Sequence, residues 1–259
     1  MIKGILVDLS GTVHIGDRAI PGAVEAVRRL QGEGFPLRFV TNTSRKTRAM
    51  LHEDLLRFGF DMPVAHLFTA PLAVRRFLEM NSLRPFLLIH PNLAGEFADL
   101  SQQDPNAVVV GFAQHAFTYA AMNRAFQLLK NGAPLLATGK TRYFEGAAGL
   151  ELDAGPFVDA LEYASGTEAV VLGKPSARFF LDAVAELGCR PEETIMVGDD
   201  VVSDVRAAVD AGLRGILVQT GKYRQGDEKQ ISSPEALLAR DVCAAVEMIR
   251  GEVMRGCHC

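Results

Sequence analysis

Four short polar clusters hold the residues whose types and spacing can do chemistry. Asp8-Leu9-Ser10-Gly11-Thr12 sets a carboxylate, hydroxyls and a turn-forming glycine directly after the apolar run Ile5-Leu6-Val7. Thr41-Asn42-Thr43-Ser44 follows Leu37-Arg38-Phe39-Val40, and four small polar residues there can aim hydroxyls, an amide and backbone N–H groups at an anion. Gly173-Lys174-Pro175 brings an ammonium after Ala169-Val170-Val171-Leu172. Gly198-Asp199-Asp200, with Asp204 five positions beyond Asp199, offers the oxygen donors that a hard cation such as Mg²⁺ prefers. Taken singly, each has an ordinary explanation. Asp, Ser and Gly populate turns, Ser, Thr, Asn and Asp cap helices, and a lone lysine is usually solvated. The three acidic residues near 200 fit capping least well, because like charges repel unless a cation lies between them. As a set, a carboxylate nucleophile, an anion cradle, a charge-neutralising lysine and an acidic cation site are the parts of a phosphoryl-transfer centre.

The elements that must position these clusters alternate. Strands are expected at 5–7, 37–40, 169–172, 194–197 and 215–218, with helices opened by Pro21-Gly22-Ala23, over 50–58, over 179–187 and around 205–211. Strand-helix alternation is the mark of a parallel sheet with crossover helices. In such a sheet all carboxyl ends point one way, which would gather the four clusters. The middle of the chain supplies further strands at 86–89, 107–110 and 134–137 and helices near 117–130 and 157–165, enough for a small α/β domain of its own. The segment 222–240 is polar and expected to be irregular before a last helix around 242–249. The expected fold is therefore α/β, with a Rossmann-like parallel-sheet core over 1–75 plus 174–259 and an inserted smaller α/β domain over 76–173.

Composition narrows the function classes. The chain has 259 residues, 48% hydrophobic and 22% charged, with no Trp and 7% aromatics, which describes a folded protein with an aliphatic core. A net charge of −4 argues against nucleic acid or an anionic membrane as partner. No run approaches the ~18 apolar residues of a membrane span, and nothing near Met1 has the form of a signal peptide. Four cysteines, all in the last third, make no disulfide framework. A cytoplasmic location is expected.

The residues also carry a resemblance. Asp8-Leu9-Ser10-Gly11-Thr12, Thr41-Asn42, Lys174-Pro175 and Gly198-Asp199-Asp200 with Asp204 resemble, in order and spacing, the four motifs of the haloacid dehalogenase (HAD) superfamily. Thr41 follows Asp8 by 33 positions and Lys174 follows Thr41 by 133, which resembles the C2-capped, NagD-like subgroup with its cap between the second and third motifs. The resemblance implies a phosphatase. Asp8 would be the nucleophile and a Mg²⁺ ligand, and Ser10 would give its backbone carbonyl to the metal. Thr41, Asn42 and Thr43 would hold phosphoryl oxygens, and Lys174 would neutralise Asp8 and the phosphate. Asp199 would ligate Mg²⁺, Asp204 would help directly or through water, and Asp200 would lie outside the ligand set. It further implies a small phosphorylated substrate and a homodimer formed through the cap.

One departure stands out. Most members carry a second Asp, a general acid, where this chain has Ser10. Loss of such help costs about 10²–10⁴-fold in rate, so a substrate with a good leaving group, such as pyrophosphate, a phosphoramidate or an aryl phosphate, is expected. The alternative is a catalytically weak HAD-fold protein that binds a phosphometabolite or a partner. Outside the motifs, Gly139 to Phe144 either contacts substrate or forms a solvated cationic loop. His14 and His90 are expected to be packed or at the surface. Cys257-His258-Cys259 has the composition of a metal clip but the position of a frayed tail.

Overall fold

The computed structural model describes residues 2–146, 149–231 and 233–256, and they form two compact units. The first unit takes the chain through Thr41, then Arg48–Phe68, then everything from Lys174 onward. It is built on a six-stranded sheet in the order Ala236–Ala239, Arg214–Val218, Thr194–Gly198, Gly4–Asp8, Leu37–Thr41, Leu67–Thr69. The pairings from Ala236–Ala239 across to Leu37–Thr41 are all parallel. Gly4–Asp8 and Thr194–Gly198 are buried along their whole length, which is why both read as unbroken apolar runs: a parallel sheet is covered on both faces.

Helices cover those faces. Ala23–Gly32 buries Ala23, Ala26, Val27 and Leu30 at helical spacing, and these join Ile5, Val7, Phe39, Val246 and Ile249 in one core. Ala177–Leu187 buries Phe179, Phe180, Ala183, Val184 and Leu187, with Phe179 against Phe68 at 5.0 Å between ring centroids. The chain enters at the centre of the sheet, builds outward to Leu67–Thr69, and returns to build the other side from Thr194–Gly198. The order reverses between Gly4–Asp8 and Thr194–Gly198, and crevices at such switch points are where open α/β sheets bind ligands.

The second unit comprises Asn42–Thr47 and Thr69–Gly173. Its four-stranded parallel sheet runs Ala169–Val171, Leu135–Ala137, Ala107–Val110, Pro85–Leu88. Tyr119–Lys130 and Gly155–Ser165 are its helices beside a core of Val108, Val110, Leu135, Val158 and Leu161. A hairpin joins Tyr143–Gly146 to Gly149–Leu152. Among the described residues no helix is long and apolar enough to cross a membrane.

Several expectations need correction. The boundary expected at 75 falls inside the helix Ala70–Met80; the break lies between Phe68 and Thr69, because a continuous helix stays in one packing unit. The strand before Lys174 belongs to the second unit's sheet, so Lys174 does not sit at a strand end of the core sheet. Pro21 lies before its helix, whose N-cap is Gly22 at φ 80°. The helix expected around 205 begins at Val201 with a π-helical stretch to Arg206, because the Asp200 carboxylate accepts from the N–H groups of Val202 and Ser203 and opens it early. The segment expected to be irregular contains the edge strand Ala236–Ala239, paired to Arg214–Val218. Only Ala239 of that strand is buried, so backbone pairing rather than a hydrophobic pattern makes it. Cys257-His258-Cys259 lies outside the described residues.

Candidate active site

Burial concentrates charge at one place in the first unit. Among the described residues the buried carboxylates are Asp8, Asp199 and Asp204, and the buried cation is Lys174. Asp8 ends the central strand and Asp199 directly follows its neighbour Thr194–Gly198. The π-helical stretch brings Asp204 back toward them, and a Cβ at Gly198 would collide with the Asp204 side chain. Lys174 Nζ donates to Asp8 Oδ1 at 2.5 Å and to Asp204 Oδ1 at 2.6 Å. Asp204 Oδ2 accepts the Asp200 N–H at 3.2 Å. The buried, hydroxyl-bearing Thr12 donates toward Asp8 Oδ2 at 3.5 Å and Asp199 Oδ1 at 3.3 Å.

Three carboxylates share one ammonium, and the titration behaviour reflects the imbalance. Burial is the main cause that pushes the Asp8 carboxyl above its usual range; Lys174 opposes it and Asp199 adds to it. Burial likewise raises Asp199, and it lifts Asp204 to about 6 against the pull of Lys174. For Lys174 burial disfavours the charge, yet Asp204 and Asp8 outweigh it and raise the pKa. Asp200 is different. Burial opposes its charge, but the Ser203 N–H and Lys222 hold it down to about 2, as befits a helix cap.

The cluster fits a hard cation. One oxygen from each of Asp8, Asp199 and Asp204 lies within 4.8 Å of the others, and an all-oxygen anionic donor set suits Mg²⁺ or a similar ion. A divalent ion would also remove the charge excess that raises the three carboxyl groups. Asp204 has both oxygens engaged, by Lys174 and by the Asp200 amide, so in this structure its evident work is to orient Lys174.

The other expected residues separate. Ser10 is exposed and its backbone bridges to His14. Thr41 is buried at the end of Leu37–Thr41, beside the strand carrying Asp8. Asn42 and Thr43 pack with the second unit, where Gly173 leaves no room for a Cβ against the Thr138 carbonyl and Asn42 Oδ1. Lys140 pairs with Asp159 and Glu162 at 2.9 and 2.8 Å, so that loop is tied down by ion pairs. His14 Nδ1 sits 3.0 Å from the Gly16 carbonyl and its ring lies against Phe58; His90 Nδ1 accepts the Asn92 N–H. Sequence reasoning placed Thr12 in the first cluster but gave no role of its own to Thr12 or to the segment Thr220-Gly221-Lys222. Lys222 N–H donates to Asp199 Oδ2 at 2.6 Å. The available signal was the position of a Thr-Gly pair just past the strand Arg214–Val218.

Comparison with known proteins decides the family. Residues 5–101 match the haloacid dehalogenase-like hydrolase model, and residues 171–245 match a HAD-hydrolase-like model. The human haloacid dehalogenase-like hydrolase domain-containing protein 2 is 48% identical over 248 residues, covering 96% of each chain. The chain belongs to the haloacid dehalogenase-like hydrolases. Phospholysine phosphohistidine inorganic pyrophosphate phosphatase of Xenopus laevis is 43% identical over 88% of this chain and 87% of its own. Among solved structures, a 4-nitrophenylphosphatase from Thermotoga maritima superposes with TM-score 0.85 at 25% identity, covering 95% of this chain and 97% of that one. NagD from E. coli K-12 does so with TM-score 0.84 at 26% identity, covering 93% and 97%. This HAD hydrolase thus has the C2-capped architecture, a parallel-sheet core interrupted by an α/β insertion.

Proposed function

We propose that this HAD hydrolase is a Mg²⁺-dependent phosphatase that works through a phosphoryl group carried on Asp8. The observation behind it is the convergence of the buried charges: a strand-end carboxylate held by a buried lysine and facing two more carboxylates. An Asp8 oxygen attacks phosphorus, an O–P bond forms, and the bond to the leaving group breaks. Water then attacks the same phosphorus, inorganic phosphate departs, and the Asp8 carboxylate is regenerated. Attack requires Asp8 ionised, and Lys174 favours that form against the burial that opposes it. Lys174 also meets the incoming phosphate with positive charge. Asp8, Asp199 and the Ser10 carbonyl would hold Mg²⁺, with Asp204 as orienter of Lys174 or as a further ligand. The ion would supply the positive charge that lets an anionic nucleophile approach an anionic phosphate.

Ser10 has no carboxyl to protonate a leaving group, which supports a preference for pyrophosphate, phosphoramidates or aryl phosphates. The names of the relatives, a pyrophosphate phosphatase and a 4-nitrophenylphosphatase, run in the same direction. The test is phosphate release from a panel of alkyl phosphates, aryl phosphates, pyrophosphate and phosphoramidates, with Mg²⁺ or with EDTA. Turnover that is Mg²⁺-dependent and fastest on good leaving groups is expected. Tight binding without turnover of any substrate would instead favour a phosphometabolite-binding role, the reading that Ser10 alone supports. A homodimer through the second unit belongs to the same proposal; its hairpin leaves Tyr143, Leu150 and Leu152 exposed, and light scattering checks it.

A further inference from the structure

The segment that follows the strand Arg214–Val218 makes contacts that the proposed reaction does not use. Thr220 Oγ1 donates to the Gly11 carbonyl at 2.5 Å, and the Lys222 N–H donates to Asp199 Oδ2 at 2.6 Å. Gly221 has φ 57° and no room for a Cβ, which would collide with Asp199 Oδ2 and the Gly11 Cα. Gly11, at φ 93°, has none either, since its Cβ would strike the same oxygen. Two backbone segments, the turn at Gly11 and the stretch Gly221-Lys222, thus close on Asp199 Oδ2. The carboxylate is 2% exposed although Gly221 and Lys222 above it face solvent.

Pinning one oxygen decides what the other does. With Oδ2 held, Asp199 presents Oδ1, which lies 3.3 Å from Thr12 Oγ1. Asp8 is held in the same manner, Oδ1 by Lys174, and presents Oδ2 on the same hydroxyl at 3.5 Å. The two remaining oxygens therefore converge on one point. The donors chosen at Asp199 are also chemically suited. A backbone amide fixes the oxygen without adding charge, whereas an ammonium there would neutralise Asp199 and compete with a cation. The Lys222 ammonium is directed elsewhere, to Asp200 Oδ2 at 3.0 Å.

We propose that Thr220-Gly221-Lys222 is a positioning clamp. It preselects Asp199 Oδ1 as the cation-binding oxygen and fastens the Asp8–Gly11 turn to it, without touching substrate. The proposal rests on the Mg²⁺-dependent reading above. Partners that orient metal ligands typically contribute 10–100-fold in affinity.

The test uses the full chain, its Thr220→Val variant, which keeps the shape and loses the donor, and its Thr220→Ser variant, which keeps the donor. Mg²⁺ affinity is measured by titration calorimetry without substrate, and Tm is measured in EDTA. Thr220→Val should bind Mg²⁺ about tenfold more weakly and Thr220→Ser close to wild type. Wild-type affinity in Thr220→Val would overturn the clamp, as would equal weakening in both variants. A role confined to stability would lower Tm in EDTA and leave the Mg²⁺ affinity unmoved, which also overturns it. If Thr220→Val does not fold, Thr220→Ala replaces it in the same comparison. A wild-type chain that binds no Mg²⁺ at all overturns the parent reading together with the clamp; binding by wild type with an unaffected variant overturns the clamp alone.

Discussion

Removing the metal should invert the usual response of the fold to mild acid, and Asp204 sets the size of the effect. Burial lifts its carboxyl to about 6 in the folded chain from the ordinary 3.8, so the folded state binds the proton more tightly than the unfolded one. Between those values the folded chain carries more protons, and stability must rise as pH falls. The cost of the buried charge is fully present above pH 6 and is relieved on the way down to about 4. Linkage across this shift gives a gain on the order of 1 kcal/mol on going from pH 7.5 to pH 5, and roughly twice that by pH 4. For a chain of this length the first figure corresponds to a Tm increase of about 2–4 °C. Other groups also titrate, among them Glu193, held at about 2 by Arg190 and Lys3, so the quantity to read is a difference. Denaturant unfolding of the wild type and of Asp204→Asn is followed from pH 7.5 to pH 4 in EDTA. The wild type should gain on the variant by these amounts as pH falls, and saturating Mg²⁺ should flatten the difference by stabilising the ionised cluster. A pH-independent difference in EDTA, or one that grows in the opposite direction, would refute the assignment of uncompensated charge to Asp204.

Asp8→Asn should fold like the wild type and lose turnover, since the amide is nearly isosteric but no nucleophile; phosphate release at the wild-type rate would exclude the covalent route. Asp199→Ala should lose Mg²⁺ binding and activity together, and full activity of the wild type in excess EDTA would contradict the same step. Ser10→Asp should raise kcat/KM on an alkyl phosphate, by up to ~10²-fold if general acid help is fully restored, and change it little on an aryl phosphate. An equal fold change on both substrates would show that Ser10 does not set leaving-group choice.

Much of this protein was legible along the chain because the signals are local. Ile5-Leu6-Val7 and Thr194-Ile195-Met196-Val197 are apolar on both faces, and a strand buried on both faces can only read that way. The polar residues that follow them marked Asp8 and Asp199 before any contact was known, since ligand chemistry gathers at strand ends. The edge strand Ala236–Ala239 left little trace, because only one of its residues is buried and its pairing is made by backbone atoms that every residue has.

What the chain order could not decide was which groups meet. Lys174 follows a strand, yet that strand belongs to the other sheet, and only the folded chain shows its ammonium between Asp8 and Asp204. Spacing pointed to Asp204 as a metal ligand; the fold places it in the acidic cluster that could hold a cation, and the π-helical stretch also turns one of its oxygens to Lys174 and the other to the Asp200 amide. Asn42 and Thr43 adjoin Thr41 in sequence but pack with a different unit. Thr12 acts through its hydroxyl and Lys222 through its backbone amide, and which carboxylate oxygen each of them meets is set by the fold. Residue type and spacing thus determined the chemistry available to this chain. Tertiary structure decided which oxygen each proton, ammonium and cation would find, because that depends on distances between segments up to two hundred positions apart.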